Sequence, residues 1–287
     1  MKLEANSVGE FFEKSFRFRL NQGEDNEVFH RGVRVIYPEK TRHCPSIHYE
    51  KGHIENEHKI FRETVARFPN EMLAQKTTIE KLILMQHYRF PTRIMDITKN
   101  LLVSLFFACY DDGKEDGTGE DGVVYFYSVP RKEIYFCDSD RIKIVSNLAR
   151  QPFDLRGGYD LSLSIEEFNK QESIKQLCWD IQPESITQYS MVKPKHISSV
   201  FCLRPNMNNE RINCQCGYFF LFGIEGGKDK SKWATFPEEW LLNPIIIPAG
   251  SKKGILKELE KMDINEGFFY PDYEKVSNSI RSRYRKS

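Results

Sequence analysis

The sequence predicts an α+β fold, in which N-terminal helices pack on a mixed, mainly antiparallel sheet. Two observations carry that expectation. Apolar residues at helical spacing come mostly early in the chain, whereas short β-branched and aromatic runs come mostly late. Helices and strands also do not alternate regularly, which argues against a doubly wound parallel sheet.

"SVGEFFEKSFRFRL" places Val8, Phe11, Phe12 and Phe16 at helical spacing, with Ser7 as N-cap and Glu10 three residues on. "EVFHRGVRVIY" is β-rich and broken by Gly32, and "PEKTRHCPS" reads as loop. A helical pattern runs from about Glu50 to Phe68. A second helix starts near Thr77 or Thr78 and stops before Pro91. "RIMDIT" is a short extended piece, and Asn100 or Thr98 caps an apolar helix from Leu101 to Tyr110. The acidic "DDGKEDGTGEDG" is a loop leading into "VVYFYSV", the clearest strand in the chain. Residues 131–190 mix signals. "HISSVFCL", "CGYFFLFGI" and "NPIIIPAG" then read as strands, followed by the amphipathic helix "SKKGILKELEKMDI". With no internal repeat and no long linker, residues 1–287 are read as one domain. Its motif core spans about 28–130, and its C-terminal strands and helix about 195–280.

The totals exclude several classes. Forty-two basic and 41 acidic side chains leave a net charge of +1, so no broad nucleic-acid surface is indicated. The longest apolar run, "LLVSLFFACY", is about half of the ~20 residues that span a bilayer, and no membrane partner is expected. The N-terminal "MKLEANSVGEFFEKSF" has acids and no apolar stretch of signal type. Seven scattered cysteines favour reduced thiols, and a cytoplasmic location is expected. Walker, dinucleotide-fingerprint, zincin and nucleophile-elbow motifs are absent from the sequence. Cys214 and Cys216 have no second pair at zinc spacing, so no metal is expected.

Three constellations remain. In "FHRGVR", Arg31 offers a fixed cation beside Gly32, which would let a phosphate approach; alternatively Gly32 makes a bulge and Arg31 a surface ion pair. In "MQHYRFPTRIMDIT", Pro91 ends a helix, so Thr92, Arg93 and Asp96 are presented from a turn between buried elements. Asp96 can pair with Arg93, or with Arg31 across the fold. His87 is either a general base or a helix-capping residue. In "RINCQCGYFFLF", Arg211, Gln215 and Gly217 precede a strand.

In this order the three constellations resemble the FRG domain, whose core pattern is similar to "QHYG-PTRLLDWT-NPL-ALFFA" followed by "DG-V-Y". Here the first motif is His30-Arg31-Gly32. The second keeps Gln86, His87, Tyr88, Pro91, Thr92, Arg93, Asp96, Thr98 and Asn100. It departs at Ile97, usually Trp, and at Arg89, usually Gly, where a change in the turn's backbone is expected. The late motif matches at Arg211, Gln215, Gly217 and Phe219, and "FFYPDYEKV" resembles the closing segment.

The first motif also resembles that of the ADP-ribosyltransferase superfamily, which implies an ADP-ribosyltransferase-like fold and NAD as substrate. By that resemblance Arg31, Gly32, Thr92, Arg93 and Thr98 hold the dinucleotide, and Tyr88 or His87 stacks on a ring. Asp96 is the candidate acid, because Gln215 stands where the superfamily has a late Glu. The implied protein is a nucleotide-dependent enzyme, a bacterial toxin or phage-defence effector with a protein or nucleic-acid acceptor. The alternative is a non-catalytic module that binds a nucleotide, nucleic acid or peptide in the same cleft.

Overall fold

Residues Gly122–Pro130 form a strand buried along nearly its whole length. Its β-branched and aromatic side chains alternate between two cores: Val124 and Phe126 enter one, Val123, Tyr125, Tyr127 and Val129 the other. The computed structural model describes residues 3–20, 23–111, 119–156, 159–184, 191–206, 217–225 and 233–269.

Among these, eight strands share one sheet: β1 (Leu3–Glu4), β2 (Asn26–Val33), β3 (Ile94–Thr98), β4 (Gly122–Pro130), β5 (Ile134–Phe136), β6 (Val200–Arg204), β7 (Gly217–Phe222) and β8 (Leu241–Ile247). Their order is β1-β8-β4-β2-β3-β7-β6-β5. Only the edge pairs β1–β8 and β5–β6 are parallel, so the sheet is mixed and mainly antiparallel, as expected.

The helices are α1 (Val8–Leu20), α2 (Glu57–Arg67), α3 (Pro69–Leu73), α4 (Thr78–His87), α5 (Leu101–Cys109) and α6 (Asp140–Asn147). They continue with α7 (Phe153–Arg156), α8 (Ile165–Phe168), α9 (Glu172–Ile181), α10 (Pro194–Ile197), α11 (Ala249–Glu260) and α12 (Glu266–Phe269). Among the described residues no helix is long and apolar enough to cross a membrane.

Local chemistry sets the ends. Ser7 accepts from the Glu10 amide at 3.2 Å, and Thr77 with Glu80 closes a capping box on α4. Asn100 caps α5 by accepting from the Leu102 amide at 2.9 Å, while Thr98 accepts from the Asn100 amide. The helix expected from Glu50 instead starts at Glu57, because turns occupy 51–56 and Gly52 has φ +88°. β1 and β5, at two and three residues, are too short for any periodicity to reveal.

Two helix-covered cores sit on the sheet. One gathers α1, α5 and α11 over β2, β4 and β8, and the other gathers α2, α4, α6 and α9 over β3, β6 and β7. Gly32 and Gly122 bring α5 down on the first. A Cβ on Gly32 would lie 1.7 Å from the Ser104 carbonyl oxygen, and one on Gly122 2.1 Å from that of Ala108. A close approach at Gly32 is thus made by the backbone of α5.

Candidate functional site

β2 and β3 share a single register pair, His30 with Thr98. From there they part: β2 goes on pairing with β4, and β3 with β7. A cavity of about 210 Å³ opens at the parting. His30–Gly32, Asp96–Thr98 and Gly217–Phe219 line it from the sheet, and α4 with Arg89 and α5 close it on either side.

Side-chain alternation puts Arg31 on the sheet face opposite Gly32, beside its register partner Tyr125. The gap between the strands nevertheless lets its guanidinium reach Asp96, with Nε 4.0 Å from Oδ1. Of the two pairings open to Asp96, the fold makes the one with Arg31. The Arg31 side chain is only 10% exposed and that of Asp96 is 52% exposed, so the cation is fixed and the carboxylate faces solvent. Arg31 Nη2 donates to the Tyr49 hydroxyl at 3.4 Å. Nε and Nη1 are buried without a hydrogen-bond partner among the described residues. Burial opposes the Arg31 charge, but Tyr49, Asp96 and Tyr127 outweigh it and raise the pKa above the ordinary guanidinium value.

Gln86 orients the carboxylate. Its Nε2 donates to Asp96 Oδ1 at 3.4 Å, and its Oε1 accepts from Thr92 Oγ1 at 2.6 Å and Ser46 Oγ at 3.4 Å. Ser46 Oγ also accepts from the Thr92 amide at 3.2 Å, which ties the loop before α2 to the turn after α4. Behind Arg31, His43 Nδ1 sits 3.1 Å from the Tyr127 hydroxyl. Burial first, then Arg31 and Arg42, push the His43 pKa down to about 4, so its ring is neutral at pH 7.

The residues singled out from sequence separate into two groups. Arg31, Gly32, His87, Asp96 and Thr98 line the cavity together. Thr92 and Arg93 do not. Thr92 is fully buried and acts through Gln86. Arg93 is fully buried and bonded to Glu57, through Nε to Oε1 at 2.8 Å and through Nη2 to Oε2. Its Nη1 donates to the Phe222 carbonyl at 3.2 Å, and its guanidinium lies 5.2 Å from the Trp233 ring centroid. This corrects the expectation that Arg93 faces a ligand or pairs with Asp96: it joins β3 to α2 and β7.

Tyr88 is 60% exposed, outside the cavity lining and edge-on to His87. Gln215, with Arg211, Cys214 and Cys216, lies outside the described residues, as do the closing segment beyond Phe269 and most of the acidic loop.

The geometry adds Gln86, Arg89, Ser46 and Tyr49. Gln86 was visible as part of the polar stretch, but its bond to Asp96 spans a turn that spacing alone does not define. Ser46 and Tyr49 lie in a segment with no regular pattern. Arg89 has φ +63°, the left-handed conformation that glycine favours. The Arg89 amide donates to the Gln86 carbonyl and the Phe90 amide to the Met85 carbonyl, both at 3.0 Å, as in a Schellman C-cap. The expected change in the turn is corrected: arginine adopts the backbone that glycine would.

Comparison with protein-family models matches residues 26–117 to the FRG domain. The chain carries an FRG domain. The matched segment runs from β2 through α5 and supplies Arg31, Gln86, His87, Arg89, Asp96 and Thr98, whereas the Gly217–Phe219 wall comes from beyond it. His30, the first residue of this FRG domain's opening motif, is fully buried with its ring 5.2 Å from that of Phe126, so it packs as an aromatic would. No curated protein and no solved structure matches the chain.

Proposed function

We propose that the cavity binds the phosphate-bearing sugar end of a nucleotide, and that the protein is an ADP-ribosyltransferase-like enzyme acting on NAD. One observation carries this reading: Arg31, two of whose buried donors lack a hydrogen-bond partner among the described residues, lines the same cavity as the half-exposed carboxylate it pairs with. Buried donors without partners are costly, and an anionic ligand oxygen would satisfy them with charge-assisted bonds. Ligand pockets for whole drug-sized molecules run from roughly 300 to 1,000 Å³. At about 210 Å³ this one suits a ribosyl-phosphate portion, with the remainder of the dinucleotide at the mouth.

The chemistry follows from placement. As the nicotinamide–ribose C–N bond breaks, its electron pair leaves with neutral nicotinamide and the sugar carbon gains oxocarbenium character. The Asp96 carboxylate, oriented by Gln86, stabilises that developing charge. Arg31 fixes the phosphate end, and His87 takes the proton of the attacking water or acceptor hydroxyl.

A second reading has its own observation. Asp96 is the one carboxylate among the described cavity-lining residues, and Gln86 and Arg31 already engage it. That suits a module that binds the ligand without consuming it.

Thermal unfolding with NAD, ADP-ribose, ATP and GMP, followed by NAD consumption by wild type, Arg31→Lys and Asp96→Asn, separates the readings. Ligand at about 100 times Kd stabilises by about 2.7 kcal/mol. For a domain of this size that is a shift of ~5–10 °C. Stabilisation with Asp96-dependent NAD loss supports the enzyme, and stabilisation without loss supports the module. No shift with any nucleotide would overturn both.

A further inference from the structure

A second cavity, of about 620 Å³, lies on the sheet face opposite Asp96. Asp96 is the register partner of Phe219, and Phe222, which lines this cavity, stands three residues further along β7 and so points the other way. The remaining walls come from the segment between β2 and α2 and from the stretch leading into β8. The volume falls within the roughly 300–1,000 Å³ of pockets that take a whole small molecule.

The walls are aromatic. The rings of His43 and Phe236 lie 5.6 Å apart at 32°, and His48 meets Trp233 edge-on at 4.9 Å. Burial above all pushes both histidines down to about 4, so at pH 7 they present neutral rings. Charge favours an ion of neither sign, because Glu39, Glu225 and Glu238 in the described lining stand against Lys40 and Arg42.

Two donors of this lining lack an acceptor. Trp233 is 8% exposed, and its indole Nε1 is buried with no hydrogen-bond partner among the described residues. Arg42 Nε is buried in the same condition. A buried donor left unmet is costly, and an acceptor on a ligand would remove that cost. A ligand that answers all three features is flat, uncharged and carries acceptors on its edge. A hydrocarbon ring would leave Trp233 unmet, and a phosphate or ammonium group would meet opposed charges.

We infer that this second cavity is a nucleobase site, in which a neutral heteroaromatic ring packs on His43 and Phe236 and offers a ring nitrogen or carbonyl oxygen to Trp233 Nε1. Aromatic side chains stack on any base, so the site selects the class of ring more than its identity. The assignment is independent of the reading of the first cavity, which needs a phosphate where this one needs none.

The test is nuclear magnetic resonance of the full chain with labelled indole nitrogens. Three tryptophans give three indole N–H signals, and Trp233 is assigned by its absence from Trp233→Phe. The probes are adenosine, guanosine and uridine, with tetramethylammonium and inorganic phosphate as the cation and the anion. At least one nucleoside should move the Trp233 proton downfield, as a new hydrogen bond requires, while the signal of Trp179, 69% exposed and outside this lining, stays in place. By calorimetry, Trp233→Phe and Phe236→Leu should each weaken that nucleoside about tenfold, the one by losing the donor and the other by losing a stacking face. A Trp233 signal that no nucleoside moves would overturn the assignment in the wild-type protein, without recourse to a variant. So would a shift produced equally by tetramethylammonium or phosphate, or unchanged nucleoside affinity in both variants.

Discussion

The ion pair of Arg93 with Glu57 should be the costliest polar contact of the domain to break. Arg93 is 0% exposed and Glu57 2%, so neither charge has water as an alternative partner. Glu57→Gln keeps the shape of the side chain and removes only the negative charge, stranding a guanidinium in the interior. Breaking one side of such a pair costs about 3–5 kcal/mol. At ~2–4 °C per kcal/mol for a domain of this size, the melting temperature should fall by roughly 6–20 °C. Circular dichroism during heating, with urea unfolding alongside, reads it directly. The double variant Glu57→Leu/Arg93→Met removes both charges and should recover most of the loss, within about 2 kcal/mol of wild type. The deficit that remains reflects the Phe222 carbonyl, which loses its Arg93 donor. A Glu57→Gln protein within about 1 kcal/mol of wild type would refute the reasoning, because the guanidinium would then have found water or another acceptor. If Arg93 holds sheet to helix rather than ligand, the double variant should also keep any nucleotide-induced stabilisation seen in wild type.

Asp96→Asn should lie close to wild type in stability, within about 1 kcal/mol, since the carboxylate is half exposed and its contact with Arg31 is long; thermal unfolding beside an NAD assay separates this from its expected loss of turnover. Gly32→Ala should destabilise by about 3 kcal/mol or more, because the new methyl meets the α5 backbone at Ser104 and cannot move aside; its melting temperature, set against an alanine at the open Gly250, checks this. Burial, with help from neighbouring cations at His43 and His196, lowers the pKa of His43, His48 and His196 to about 4. Below about pH 6.5 the unfolded chain therefore binds protons that the folded one refuses. Their contribution is complete above that value and should be lost as the pH falls towards 4. Urea midpoints at pH 7 and pH 5 should show the decline, and His43→Gln should flatten it.

Legibility followed the range of the interactions. Thr77 with Glu80, Ser7 with Glu10 and Asn100 with Leu102 lie within one turn of each other, so the Ser7 cap was readable from residue type and spacing, and the other two helix starts were narrowed to Thr77 or Thr78 and to Asn100 or Thr98. The alternation in β4 needs no partner to be recognised. Among the described residues of 131–190, α7 and α8, at four residues each, are too short to show periodicity, and they interrupt the stretch between α6 and α9. The site was half legible. Arg31 and Asp96 stood out as charged residues between apolar elements, but nothing local distinguishes Arg31 from Arg93.

What the sequence determined by itself was the class of fold, the positions of the main elements and the polar stretch from Gln86 to Asn100 as the place to look. It could do so because helix caps, periodicity and turn residues act over three or four positions. The tertiary structure decided which arginine serves the cavity. β2 and β3 part after one register pair, opening a gap through which Arg31 reaches Asp96, while Glu57, 36 residues before Arg93 in the chain, holds Arg93 in the core. Both outcomes depend on which charges meet once water is excluded, and spacing along the chain carries no record of that.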